Sequence, residues 1–267
     1  MFDSGVGGLT VLHECLVAMP AEDFIYLGDS GRFPYGPRTP DEIREFAGQI
    51  ASHLLALDVK LLVVACNSAT AAALPWLQER LDAAIIGAVF PESEVAVQIT
   101  RNRRVGVMAT EATIASDSYR RALLDMDAGI DVFSQPCPQL AAMIQNGDVS
   151  SPEMIEAVKS YAAPLKTTRV DTVILGCTHY PLVTPMLQRI FGSSVTLVNP
   201  AREIAQLAAA TLWRKGIQNR AGREGKYSFL CTGDVESFIK VGARFLQMPF
   251  ENVSKVEISG LERMGVA

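Results

Sequence analysis

The chain has 267 residues, of which 49% are hydrophobic and 20% charged, with 29 acidic against 24 basic side chains and a formal net charge of −5. That length and apolar content support a sizeable core and exclude an intrinsically disordered chain. The acidic balance, without any basic run, argues against a nucleic-acid partner. The longest apolar runs, 61–65 and 83–90, are far shorter than the roughly 20 residues that span a bilayer, so no membrane partner is expected. No basic region opens the chain as a signal peptide would, so a soluble cytoplasmic protein is the expectation.

In chain order, Asp3-Ser4-Gly5-Val6-Gly7-Gly8-Leu9-Thr10 is a glycine-rich loop opening a helix. Such a loop can cradle an anion with backbone N–H groups. It lacks the spacing of a dinucleotide-binding loop, and no strand is written ahead of it. Residues 24–27 read as a strand, followed by a Gly/Pro-rich loop over 28–40 in which Tyr35 and Gly36 offer a phenol and backbone donors. Apolar residues at helical spacing predict a helix over 41–57. Residues 61–65 are apolar at every position, as in a parallel strand covered on both faces. A helix over 69–81 and strands over 84–89, 105–108 and 172–175 follow. A helix over 201–214, a polar surface loop over 220–226, a strand over 227–231, a helix over 235–246 and a last strand over 253–258 complete the chain. The βαβα alternation predicts an α/β fold with largely parallel sheets.

The chain also carries a divergent internal repeat. Cys66 and Cys177 lie 111 positions apart, each ending an apolar run, and Pro75-Trp76-Leu77-Gln78 matches Pro185-Met186-Leu187-Gln188. Pro91, Glu94 and Ala96 match Pro200, Glu203 and Ala205, and Ser4 falls opposite Thr110, all in the same order. We therefore expect two pseudo-symmetric, doubly wound lobes, 1–90 with 200–267 and 91–199, and a site in the cleft between them.

Cys15, Cys66, Cys137, Cys177 and Cys231 form no CxxC pair, so neither a zinc site nor a disulfide framework is expected. Cys15, Cys137 and Cys231 read as packing residues. Cys66, before Asn67-Ser68, and Cys177, before Thr178-His179, each stand between a strand end and a helix start, where α/β proteins bind ligands. Asn67 and Ser68 supply N-cap chemistry there. The helix N-terminus is expected to lower the thiol pKa and favour the thiolate. Two thiols facing one substrate carbon from opposite sides invert a stereocentre: one removes a proton and the other returns one. Neither a metal nor a redox cofactor is required.

Phe2-Asp3-Ser4-Gly5-Val6-Gly7-Gly8-Leu9-Thr10-Val11, Gly28-Asp29-Ser30 with Pro34-Tyr35-Gly36, Ala65-Cys66-Asn67-Ser68-Ala69-Thr70 and Gly176-Cys177-Thr178-His179-Tyr180-Pro181-Leu182 resemble the glutamate racemases, in order and spacing over nearly the whole chain. The resemblance implies cofactor-independent interconversion of L- and D-glutamate, supplying D-glutamate for peptidoglycan. It places Cys66 and Cys177 as the acid/base pair, the first acting on D-glutamate and the second on L-glutamate, with Asp3 and His179 assisting. It puts Asp3, Ser4, Tyr35, Gly36, Asn67, Ser68, Thr178 and His179 against the substrate, and such proteins are often dimeric. Three departures stand out. Ser68 replaces the usual Thr. Gln145, which cannot titrate, stands where Glu is common. Only Met1 and Phe2 precede Asp3 where an apolar strand is usual, so the native polypeptide is expected to begin upstream. Otherwise neighbouring strands would face an empty slot and Asp3 would sit at a frayed end. The rival readings are a racemase of aspartate or another amino acid using the same thiols, and a two-lobed ligand-binding protein.

Overall fold

A computed structural model of the protein describes residues 1–147 and 149–258. β1 (Phe2–Asp3) leads through the glycine loop to α1 (Leu9–Ala18); β2 (Phe24–Gly28) is followed by α2 (Pro40–Leu55), β3 (Leu62–Val64) by α3 (Asn67–Arg80), and β4 (Ile85–Gly87) by α4 (Val89–Ile99). Next come β5 (Arg104–Ala109), α5 (Glu111–Ala115), α6 (Ser118–Met126), β6 (Asp131–Pro136), α7 (Leu140–Asn146), α8 (Pro152–Thr167) and β7 (Thr172–Gly176). A 3-10 turn over Tyr180–Val183 leads to α9 (Thr184–Phe191), β8 (Thr196–Val198), α10 (Pro200–Lys215), β9 (Tyr227–Cys231), α11 (Val235–Leu246) and β10 (Val253–Lys255).

All strand pairs are parallel, in two sheets ordered β10-β9-β2-β1-β3-β4 and β6-β5-β7-β8. Both sheets share one pattern: the second strand, the first, the third, then the fourth. The repeat seen in the sequence is thus a repeat of topology, with β9 and β10 extending the first sheet alone. Crevices for ligands in this strand order lie beyond the carboxyl ends, between the first and third strands. There Asp3-Ser4 and Cys66 leave β1 and β3, and Thr110 and Cys177 leave β5 and β7. β3 and β7 are buried at every position, as continuous apolar runs in covered parallel sheets should be. α2 begins as its sequence dictates: Thr39 and Glu42 form a capping box and Pro40 takes the first turn.

The expected strand over 253–258 is ordered as β10 only through Lys255, and residues 259–267, grouped with the first lobe by sequence, lie outside the described residues. The central position of the first sheet is not empty along its carboxyl end. Phe2 pairs with Leu27 and Val64, and Asp3 with Gly28. The Met1 amino group donates to the Ile25 carbonyl at 2.8 Å, and Asp3 is fully buried instead of frayed. At the amino ends of β2 and β3, Met1, Ile25, Leu61 and Val63 border a cavity of about 610 Å³ that Ala208 and Leu212 of α10 also line. This cavity lies at the end of the sheet away from Cys66 and Cys177. No helix among the described residues is long and apolar enough to cross a membrane.

Candidate active site

The glycine loop binds a carboxylate, but it is the protein's own. Gly5 N–H donates to Asp3 Oδ1 at 3.0 Å, and the Gly8 and Ser4 N–H groups also face this carboxyl. The N–H groups expected to cradle an external anion are therefore spent on Asp3. The glycines serve close approach as well: a Cβ on Gly7 would lie 2.3 Å from Thr178 Oγ1 and 2.5 Å from His179 Nδ1. Only a glycine lets this loop of the first lobe lie against Thr178 and His179 of the second. Across that contact the Thr178 hydroxyl donates to Asp3 Oδ2 at 3.1 Å. Burial, opposed by these donors, pushes the Asp3 carboxyl up to about 6.

Cys66 and Cys177 line one cavity, with Ser4, Tyr35, Gly36, Asn67, Ser68, Thr178 and His179. The fold thus gathers the sequence-predicted residues that leave strand ends in both lobes. Asp3 lies just behind the cavity, bonded to Thr178. The cavity measures only about 20 Å³, room for about one water. In this closed arrangement the lobes must part to admit an amino acid. Among the described residues no Lys or Arg lines it; hydroxyls, amides and aromatic rings do.

Two expectations are corrected here. Asn67 and Ser68 do not cap α3: Cys66 is itself the N-cap, its Sγ accepting from Ala69 N–H at 3.5 Å. Ser68 instead reaches the second lobe, bonding Thr110 Oγ1 at 2.8 Å and Thr113 Oγ1 at 3.2 Å. Nor are the thiols lowered toward thiolate. Burial, reinforced by the negative charge of Asp3, pushes the Cys66 thiol up to about 12. Burial chiefly, with Cys66 and Asp3 beside it, holds Cys177 well above its usual range. Desolvation of a sulfur anion in a closed, nearly water-free site outweighs the helix N-terminus, which acts only through partial charges.

His179 is buried and pushed down to about 3, so the ring is neutral. Its Nε2 lies 2.9 Å from Gln145 Oε1, an acceptor, which places the ring proton on Nε2. The Nδ1 lone pair then faces Cys177 Sγ at 3.8 Å and Thr178 Oγ1 at 3.5 Å. Phe33 and Phe245 clamp the ring, with centroids 5.3 and 5.2 Å away. Gln145 thus orients the histidine without titrating. The Tyr35 phenol is not free for a ligand. It donates to Asp29, whose carboxylate also accepts from Arg32 at 2.7 Å and Thr232 at 2.7 Å. Tyr35 and Gly36 nonetheless line the cavity.

Sequence reasoning missed Glu92 and Tyr119. Both are buried, and both accept from the Asn67 side-chain amide, at 2.8 Å (Glu92 Oε1) and 2.7 Å (Tyr119 Oη). Tyr119 also donates to Glu92 Oε2. Asn67, Glu92 and Tyr119 are 25 and 52 positions apart from Asn67 outward, so no local pattern announces the group. Among the described residues no set of three His, Cys, Asp or Glu side chains is placed to hold a metal ion.

Burial pushes Glu92 up to about 8 from an ordinary 4.5. Because the folded value is the higher one, Glu92 favours folding at low pH and loses that contribution as pH rises from about 4.5 through about 8. The buried Met1 amine and His179, both pushed down, change stability in the opposite sense with pH. Glu92→Gln isolates the effect: relative to the parent, its stability should improve between pH 5 and 8.5 by on the order of 3–5 kcal/mol. Denaturant melts of both proteins across that range test this, and a pH-independent difference would refute it.

A family model described as Asp/Glu/hydantoin racemase matches residues 8–208. The chain is 41% identical over 248 residues to a glutamate racemase of Oceanobacillus iheyensis, covering 92% of this chain and 90% of that protein. Its structure is similar to that of glutamate racemase isoform RacE1 from Bacillus anthracis, with a TM-score of 0.92 and 38% identity over 96% of each chain. It is also similar to the Francisella tularensis glutamate racemase in complex with D-glutamate, with a TM-score of 0.90 and 31% identity over 96% of each chain. On the sequence match, the shared fold and the paired strand-end cysteines, the chain belongs to the Asp/Glu/hydantoin racemase family.

Proposed function

We propose that the protein is a glutamate racemase that interconverts L- and D-glutamate with two thiols and supplies D-glutamate for peptidoglycan synthesis. The observation that carries this reading is the placement of Cys66 and Cys177 on one cavity, at the ends of equivalent strands in two lobes of like topology. In this reading one lobe is formed by residues 1–90 with 200–258 and the other by the described residues of 91–199. From D-glutamate, the Cys66 thiolate takes the Cα proton and becomes a thiol. The Cys177 thiol gives its proton to the opposite face of the carbanion and becomes a thiolate. The product is L-glutamate, and the reverse sequence acts on it. No electrons leave the system.

A thiol at about 12 needs help to ionise. The His179 Nδ1 lone pair can accept a hydrogen bond from the Cys177 thiol and so orient its proton, and the substrate ammonium, arriving between the sulfurs, favours either thiolate. Asp3 acts through Thr178. Ser4, Ser68 and the backbone N–H groups of Tyr35, Gly36 and Thr178 hold the two substrate carboxylates by hydrogen bonds instead of a fixed cation. Asn67 faces the ammonium.

The test is proton exchange in D₂O. Deuterium should appear at Cα of glutamate together with loss of optical rotation, starting from either enantiomer, with aspartate turned over far more slowly. Binding of glutamate without Cα exchange would indicate a binding protein, and faster turnover of aspartate would indicate the other racemase.

A further inference from the structure

Glu92 lies on α4, outside the set of residues that touch the cavity, yet it controls one that does. Its Oε1 accepts one Asn67 amide N–H at 2.8 Å, and Tyr119 Oη accepts the other at 2.7 Å, while the Tyr119 hydroxyl donates to the second Glu92 oxygen. Three donors and the acceptors that meet them close a ring that spans both lobes: Asn67 from α3, Tyr119 from α6, Glu92 from the helix between them. All three side chains are at least nine-tenths buried. Both Asn67 donors are thereby consumed, and its Oδ1 is left buried without any partner. A buried, unpaired amide oxygen is costly, and natural proteins keep one where a ligand completes it. Asn67 lines the cavity that holds both thiols.

The geometry points to Glu92 as a positioning residue that turns the Asn67 carbonyl oxygen toward the cavity, so that the site selects amine-bearing dicarboxylates over dicarboxylates without the amine. This rests on the racemase reading above. The chemistry is one of matching. A substrate carboxylate has only acceptors and gains nothing from Oδ1. An ammonium has only donors and satisfies it. The Glu92 carboxylate behind the amide adds negative charge on that side and none near the hydroxyls that hold the carboxylates. Burial opposes the carboxylate form in the empty site, and the incoming ammonium favours it. Without Glu92 the amide is free to rotate by half a turn, which presents NH₂ to the ammonium and repels it.

The experiment compares D-glutamate with glutarate, the same dicarboxylate lacking the amine, by calorimetric titration of the intact protein, Glu92→Gln and Tyr119→Phe. Racemisation of glutamate is followed in parallel. Glu92→Gln should weaken glutamate by about tenfold, the order of a weakened hydrogen bond to a charged group. Glutarate should stay within about twofold, since its contacts are untouched. Tyr119→Phe keeps the Glu92–Asn67 bond and should show the same split in smaller measure; if Glu92→Gln fails to fold, this variant decides. Parallel weakening of both ligands, or of neither, overturns the inference by showing a purely structural role. If the parent protein does not racemise glutamate, the racemase reading falls. If it does, and the split is absent, only the role of Glu92 falls.

Discussion

Cys66→Ser and Cys177→Ser should each lower racemisation by roughly 10²–10⁴-fold or more, the range a positioned general base contributes. Each sulfur serves a different face of Cα, so neither can cover for the other. A serine hydroxyl at the same place is a far weaker base. The buried setting makes the contrast larger: burial already holds Cys66 up to about 12, and an alcohol in the same site lies higher still. The substitution removes little packing, so melting temperatures should barely move, which separates lost chemistry from lost fold. Turnover of both enantiomers by circular dichroism is the measurement. Full activity in either variant would refute the two-thiol mechanism.

Asp3→Asn should be nearly as damaging, for a different reason. The Asp3 carboxylate accepts from Gly5 N–H and the Thr178 hydroxyl, with Gly8 and Ser4 N–H also directed at it. An amide offers one oxygen to this set of donors and sets its NH₂ against the rest. Thr178 must then reverse its hydroxyl, and a buried N–H loses its acceptor, at about 1–3 kcal/mol. Racemisation should fall by about 10²-fold or more. The Asp3 carboxyl is held up to about 6, so activity that needs the carboxylate is present above that pH and lost below it. The parent profile should therefore carry an acid limb near pH 6 that residual Asp3→Asn activity lacks. An unchanged acid limb would show that the group titrating there is not Asp3.

Local chemistry made the elements and the principal reactive groups legible. The runs ending at Cys66 and Cys177 show in the sequence because they are apolar at every position, as covered parallel strands are, and the helices over 41–57 and 235–246 because buried positions recur at helical spacing. The repeated order of strand, cysteine and polar helix start exposed the two-lobe plan, and the structure realises it as two sheets of the same strand order. Where periodicity was short or weak, as in α5, α7 and β8, the elements emerge only once they pack on their neighbours.

The residues that sequence alone determined are those whose role follows from their own type and their place on an element: two strand-end thiols, a glycine loop, hydroxyls beside them. Tertiary structure alone decided what state those groups are in. The thiol and carboxyl shifts come from burial, which sums over every chain segment that closes the cleft and cannot be read from neighbours in sequence. Gly7 is required by Thr178 and His179, far away in sequence. The Tyr35 phenol is withdrawn by Asp29, and the Asn67 amide is aimed by Glu92 and Tyr119. A hydrogen-bond donor can satisfy many acceptors, and only the folded chain determines which one it meets.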